Sequence, residues 1–217
     1  MMSKIIEIVL FKTNEGVNHT EFQADMKRWN RFLVTQKGFI SRKAGISADG
    51  YYADITYWTD LEAPKIAGEN ADQNPEMLKL FESNMTKIDE KTLKSDFFEI
   101  NNEFFVETST ENIADIFFFR PKNGVKTEEF EIEMKKFNAT LADYKGLISR
   151  TNGVSADGEY LELVYWTDFE AIKSADEKGA ETSEIEDFFT QMTDENSIFS
   201  NRFEIFSDTK NQKNENI

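Results

Sequence analysis

The sequence contains no cysteine and only one histidine, His19, in 217 residues. Without thiols there are no disulfides, no cysteine nucleophile and no cysteine-ligated metal, a usage that fits a cytoplasmic protein. One histidine at a helix start does not make a zinc site, and an axial-histidine haem site would depend on it alone. No loop has the ligand spacing of a calcium site. No metal and no cofactor is therefore expected. Glycine-rich phosphate loops and nucleophile elbows are also missing. Basic residues are few: 25 Lys and Arg stand against 41 Asp and Glu, a formal charge of −16. Such a surface repels nucleic acid and anionic membranes. The longest apolar stretches, such as IVLF and IFFF, fall far short of the ~20 residues that span a bilayer. The opening MMSKIIEIVLF carries Glu7 inside its apolar run and reads as a first strand rather than a signal peptide. What is abundant is aromatic: 20 Phe, and 13% aromatics overall, enough for a substantial core.

The chain is also written twice. SADGYYADITYWTDLEA at 47–63 returns as SADGEYLELVYWTDFEA at 155–171. A constant offset of 108 aligns Ile5–Glu69 with the second half without a gap, and 31 of those 65 positions are identical. The offset then falls to 107 (Phe81 with Phe188, Met85 with Met192) and to 105 (Phe98-Glu99-Ile100 with Phe203-Glu204-Ile205). The second copy thus loses three residues in its later helical region. Two copies are too few for a solenoid and suit a pseudo-symmetric pair.

Each copy reads as strand, helix, strand, strand, helix, strand. Residues 5–12 form a short β-branched and aromatic run. Asn18 and Glu21 make a helix cap with its acid partner. Phe22, Met26, Trp29 and Leu33 follow at helical spacing, and Gly38 ends that helix. Residues 39–46 and 51–58 are strands joined by an Asp49-Gly50 turn. Thr59-Asp60 caps a second helical region, which Pro64 and Pro75 interrupt only in the first copy. Residues 97–105 are the last strand. This βαββαβ order is the split, ferredoxin-like arrangement, with strand order 4-1-3-2 and both helices on one face. IIEIVLF and DIFFFR are apolar on both parities, so the other face must be covered too. The second copy is the obvious cover. The fold class is therefore α+β, with tandem units over 1–106 and 112–207 packing sheet to sheet. A polar connection, VETSTE, joins them, and a disordered tail is expected over 208–217.

At GFISR, SADG and YWTDLEA the chain resembles the dimeric α/β-barrel superfamily, close to the antibiotic-biosynthesis-monooxygenase-like proteins. The resemblance implies that two such units form one barrel, here as an intrachain pseudo-dimer. It implies a pocket between sheet and helices in each unit, with Trp58 and Trp166 at or near it. The family includes cofactor-independent oxygenases of aromatic polyketides, haem-degrading enzymes and haem-dependent relatives, so the resemblance is specific for fold and not for chemistry.

Side chains two apart on a strand share a face. That groups Tyr52, Asp54, Thr56 and Trp58, and in the second copy Tyr160, Glu162, Val164 and Trp166. Glu7 and Asp115 match inside the first strands, and Glu99 and Glu204 match on the fourth. Arg42 and Arg150, on the adjoining second strands, are placed to partner these acids. Clustered carboxylates can hold one pKa high enough for a general base, or can form salt bridges that fix strand register. Asn30 and Asn138 lie on the apolar side of the first helix, facing either a ligand carbonyl or the backbone. The candidate catalytic set is Glu7, Asp54, Asp115 and Glu162. The candidate binding set is Asn30, Arg42, Tyr52, Trp58, Asn138, Arg150, Tyr160 and Trp166.

Two functions follow. The first is a cofactor-independent monooxygenase-like enzyme acting on a small, flat organic molecule. The second is a non-catalytic barrel with a ligand-binding or structural role. A monomer is expected because the barrel partner is already covalent, and a homodimer would not break the fold reading.

Overall fold

β1 (Ile5–Thr13) leads into α1 (His19–Leu33). The Asn18 side chain accepts from the amides of Thr20 and Glu21, satisfying donors that have no partner inside the helix. β2 (Phe39–Ser47) and β3 (Tyr51–Trp58) form the hairpin turned at Asp49-Gly50, where Gly50 has φ +85°. α2 (Glu62–Asp72), α3 (Pro75–Met85) and β4 (Ile88–Phe105) complete the first copy. The second copy supplies β5 (Ile113–Phe119), α4 (Thr127–Thr140), β6 (Leu147–Ser155), β7 (Tyr160–Trp166), α5 (Phe169–Gly179) and β8 (Phe199–Lys210). This computed structural model describes residues 4–106, 109–140, 144–179 and 187–210, without the side chains of 137–140.

Hydrogen bonding follows the order β4-β1-β3-β2-β8-β5-β7-β6, and β6 returns to β4, so the eight strands close into a barrel. Each copy therefore has the predicted 4-1-3-2 order. The compact units, however, do not coincide with the repeats. One comprises residues up to Ile100 together with those from Phe203 onward, and the other spans Asn101–Arg202. The final strands explain the difference. The far end of β8 pairs with β2, from Ser41 opposite Lys210 to Ser47 opposite Phe203. The far end of β4 leads to Val106, whose amide donates to Ile148.

Three expectations change in detail. β4 begins at Ile88, nine residues before the predicted start, and pairs with β1 as far as Thr13 opposite Ile88. Pro64 does not break a helix: it falls in the first turn of α2, where no backbone N–H is needed. The break comes at Gln73–Asn74, and Pro75 opens α3 under an Asn74 cap. Finally, 208–210 belong to β8 and pair with β2, while the rest of the expected tail, 211–217, lies outside the described residues.

Much of the repeated signature has a packing cause. Gly38 and Gly146 both have positive φ, +83° and +82°. A Cβ on Gly38 would lie 2.5 Å from the Ala63 Cβ and 2.7 Å from the Thr59 hydroxyl. The same atom on Gly146 would lie 2.6 Å from Ala171 and 2.7 Å from Thr167. Meanwhile Asp60 accepts from the amides of Glu62 and Ala63, and Asp168 from that of Ala171. Gly, Thr-Asp and Glu-Ala are thus parts of one joint, in which the start of a helix presses on the start of a strand.

Candidate active site of the first unit

β1 and β3 run antiparallel, with Glu7 opposite Thr56 and Val9 opposite Asp54. Their helix-facing side chains, with α1 and α3, enclose a cleft of about 250 Å³. Its walls include Glu7, Val9, Arg42, Asp54, Thr56 and Trp58 from the strands, Met26, Trp29 and Leu33 from α1, and Phe81, Asn84 and Met85 from α3. A second hollow of about 330 Å³, reaching α2, shares Glu7, Trp29, Trp58 and Phe81 with it.

Trp58 is buried, and its indole N–H donates to Glu7 Oε2 at 3.0 Å. Burial of Glu7 pushes its pKa from 4.5 up to about 7; the Trp58 bond and Arg42 pull it back, and Asp54 adds to the rise. A carboxyl in this state gains and loses its proton near neutrality.

Arg42 organises the floor. Its Nε donates to Asp54 Oδ1 at 2.7 Å and its Nη2 to Oδ2, a two-pronged ion pair with Arg42 only 3% exposed. Its Nη1 donates to the Met26 carbonyl at 2.8 Å and to Asn30 Oδ1 at 2.6 Å. Asn30 in turn donates to the Ser207 hydroxyl at 3.0 Å. Asp54 is therefore engaged on both oxygens, and Asn30 spends its amide on Arg42 and Ser207.

The structure gathers Glu7, Arg42, Asp54 and Trp58 around one cleft. It does not place Tyr52 on its walls. Tyr52 is fully buried, stacks on Phe11 at 5.5 Å and meets His19 Nδ1 through its hydroxyl at 2.7 Å. His19, on the exposed side of the helix start, is thereby tied to the core. Glu99 and Glu204 are exposed and do not join the set.

The second unit keeps the residue types and changes the contacts. Arg150 and Glu162 form a buried ion pair at 2.7 Å. Asp115, one methylene shorter than Glu7, is 4% exposed and pairs with Arg202 at 3.2 Å. Burial raises it to about 7 against the pull of Arg202. Asp115 Oδ1 and the Trp166 indole N–H meet no hydrogen-bonding group among the described residues. Trp166 packs with Tyr144, Val164 and Ile172. Phe188, the counterpart of cleft-lining Phe81, is buried against Phe119, Phe130 and Tyr160, while Phe81 is 50% exposed. A recess of about 80 Å³ in this unit, at Asn101, Asn102, Glu131, Met134 and Lys135, contains none of the predicted residues. Asn138 lies in α4, and its side chain is outside the described residues.

The second helical region was legible in the sequence, but not that its later part, α3, supplies a wall of the cleft. Asn84 lines the cleft at 8% exposure, and its Oδ1 meets no hydrogen-bonding group among the described residues. The one available signal was the change of offset between the copies in this region.

Among the described residues no group of acids, histidines or cysteines forms a metal site, and no helix is long and apolar enough to cross a membrane. No protein-family model matches the chain, and no curated protein matches it. Solved structures do. A provisional monooxygenase from Fusobacterium nucleatum superposes with a TM-score of 0.72 at 13% identity, over 96% of this chain and 95% of that one. A provisional monooxygenase from Lactobacillus acidophilus gives 0.69 at 11% identity, over 96% and 97%. An anthrone oxidase-like protein gives 0.69 at 10% identity, over 97% and 94%. At such identities the likeness is one of fold. The chain shares with these structures an α+β fold built on a closed barrel of eight strands.

Proposed function

We propose that the cleft of the first unit binds a small, flat organic molecule and that Glu7 takes a proton from it. The observation that carries this reading is the Glu7–Trp58 pair: a carboxyl held at the wall of an aromatic cleft, with burial lifting its pKa to about 7. A base tuned near the working pH transfers protons most effectively. Trp58 and Trp29 offer ring surface for a flat substrate. Asp54 is not the base in this scheme, because Arg42 holds both of its oxygens. Its charge instead helps to raise Glu7.

The reaction class is cofactor-independent monooxygenation of an acidic CH₂ group. Glu7 removes a proton, the resulting carbanion reacts with dioxygen, and a C–OOH group forms. Loss of water leaves a carbonyl, so the methylene carbon gives up two hydrogens, one oxygen atom enters the product and the other leaves as water. The second unit, where Phe188 and Tyr144 pack beside the matching residues, serves as structural support. A panel of anthrones, quinols and catechols read by oxygen uptake tests this. Turnover is expected for some member, and its loss in a Trp58→Phe variant. No turnover, or turnover indifferent to Trp58, overturns it. Binding of panel members without oxygen uptake would leave the cleft as a binding site alone, the reading favoured by its locked Arg42–Asp54 floor.

A further inference from the structure

Asn84 is the polar side chain that α3 contributes to the walls of this cleft. It is more than nine-tenths buried, and its Oδ1 has no hydrogen-bonding partner among the described residues. Its backbone carbonyl accepts from Lys87, so the main chain at this position is satisfied without the side chain. A buried carbonyl oxygen left unpaired is unfavourable relative to one that is paired or replaced by an apolar group. Around it the wall is apolar: Phe81, Met85 and Ile88 on its own side, Phe22 and Met26 across from it. The polar groups of the cleft are otherwise gathered on the sheet, at Glu7 and at the Arg42–Asp54 pair. A ligand seated here therefore meets polar chemistry at two separate places, on the sheet and on α3, with apolar surface between them.

We propose that Asn84 is a specificity-determining residue of this cleft, and that the ligand is a flat aromatic molecule with at least two oxygen substituents. One oxygen, or the acidic carbon beside it, faces Glu7. Another, a hydroxyl or carbonyl, takes the Asn84 amide, which offers one acceptor and two donors. The inference rests on the proposed reading of the cleft and adds to it the substitution pattern of the ligand. A site built around a hydrogen-bonding group rejects analogues that lack the matching atom, because its own buried group is then left unpaired.

The test compares two probes of one shape, 2-naphthol and 2,6-dihydroxynaphthalene, by titration calorimetry on the full chain and on Asn84→Leu. The wild type is expected to bind the diol about five- to tenfold more tightly, the size of one hydrogen bond. Asn84→Leu is expected to abolish that preference while binding 2-naphthol as well as before. Free of ligand, Asn84→Leu should unfold at the same temperature as the wild type or higher, because it removes an unpaired buried amide; a structural asparagine would give the opposite. A preference for the diol that survives in Asn84→Leu overturns the proposal, as does an equal loss for both probes. Failure of both probes to bind the wild type overturns the cleft reading itself and this inference with it. Binding of both without preference overturns only the role of Asn84.

Discussion

Trp58 donates its indole N–H to Glu7 at 3.0 Å, whereas the matching N–H of Trp166 meets no hydrogen-bonding group among the described residues. Both rings are buried, so the same substitution removes similar ring area from each. Replacing Trp58 by Phe breaks a bond to a buried carboxyl, while replacing Trp166 by Phe removes an unpaired donor. Trp58→Phe should therefore cost more stability than Trp166→Phe, by about 1–3 kcal/mol. Urea midpoints at constant slope measure the difference. Equal costs would show that the Trp58–Glu7 bond contributes nothing net.

The raised pKa of Glu7 has a consequence for stability against pH. Its folded value of about 7 lies above its ordinary 4.5. Between those two values the folded chain holds a proton that the unfolded chain releases. Its contribution is fully present below pH 4.5, declines as pH rises, and is lost above pH 7. Glu7→Gln cannot release that proton. The difference in stability between wild type and Glu7→Gln should therefore slope through this window and be flat outside it. A difference that is flat from pH 4 to pH 8 would contradict the assignment.

Gly38 tests whether the repeated signature is a packing joint. Gly38 and Gly50 have nearly the same backbone, φ +83° and +85°. A Cβ at Gly50 meets nothing within 4 Å, while at Gly38 it lands 2.5 Å from the Ala63 Cβ. Gly50→Ala should carry only the left-handed strain of about 1–2 kcal/mol. Gly38→Ala should lose clearly more, and Ala63→Gly added to it should recover the part of the excess due to Ala63, leaving the strain and the close approach to the Thr59 hydroxyl. A double-mutant cycle by thermal melts decides it. Independent, additive effects would mean that the two residues do not press on each other.

How far the sequence reveals this arrangement varies from residue to residue. The Asn18 cap and the Asp49-Gly50 turn follow from local spacing, as do the elements whose βαββαβ sequence implies the 4-1-3-2 order. Such signals survive folding because they are set by neighbours in the chain. The early start of β4 is not legible: IDEKTLKSD carries charge along its length, and it is held to β1 by backbone pairing and by the Thr92 hydroxyl, which accepts from the Lys12 amide. Arg42 is legible as a partner for an acid, since its strand adjoins that of Asp54. That it would hold both carboxylate oxygens and the Met26 carbonyl depends on side-chain reach across three elements. Asn84 is invisible because its helix opens at Pro75, where the copies cease to align at a constant offset. The shift from Glu7 to Asp115 looks conservative in sequence. In the structure the shorter acid turns to Arg202 and its tryptophan loses a partner.

The central claim is that Glu7 is the base of a cleft that oxidises a flat organic substrate, and oxygen uptake with anthrone as a function of pH tests it most directly. With Glu7 as the base, kcat/KM of the wild type should rise with pH and level off above about pH 7, the value to which burial lifts Glu7. Glu7→Gln should bind anthrone and lose turnover by at least about 100-fold, the scale of general-base catalysis. A wild type with no uptake at any pH, or a Glu7→Gln variant that retains the same rate and the same profile, would contradict it.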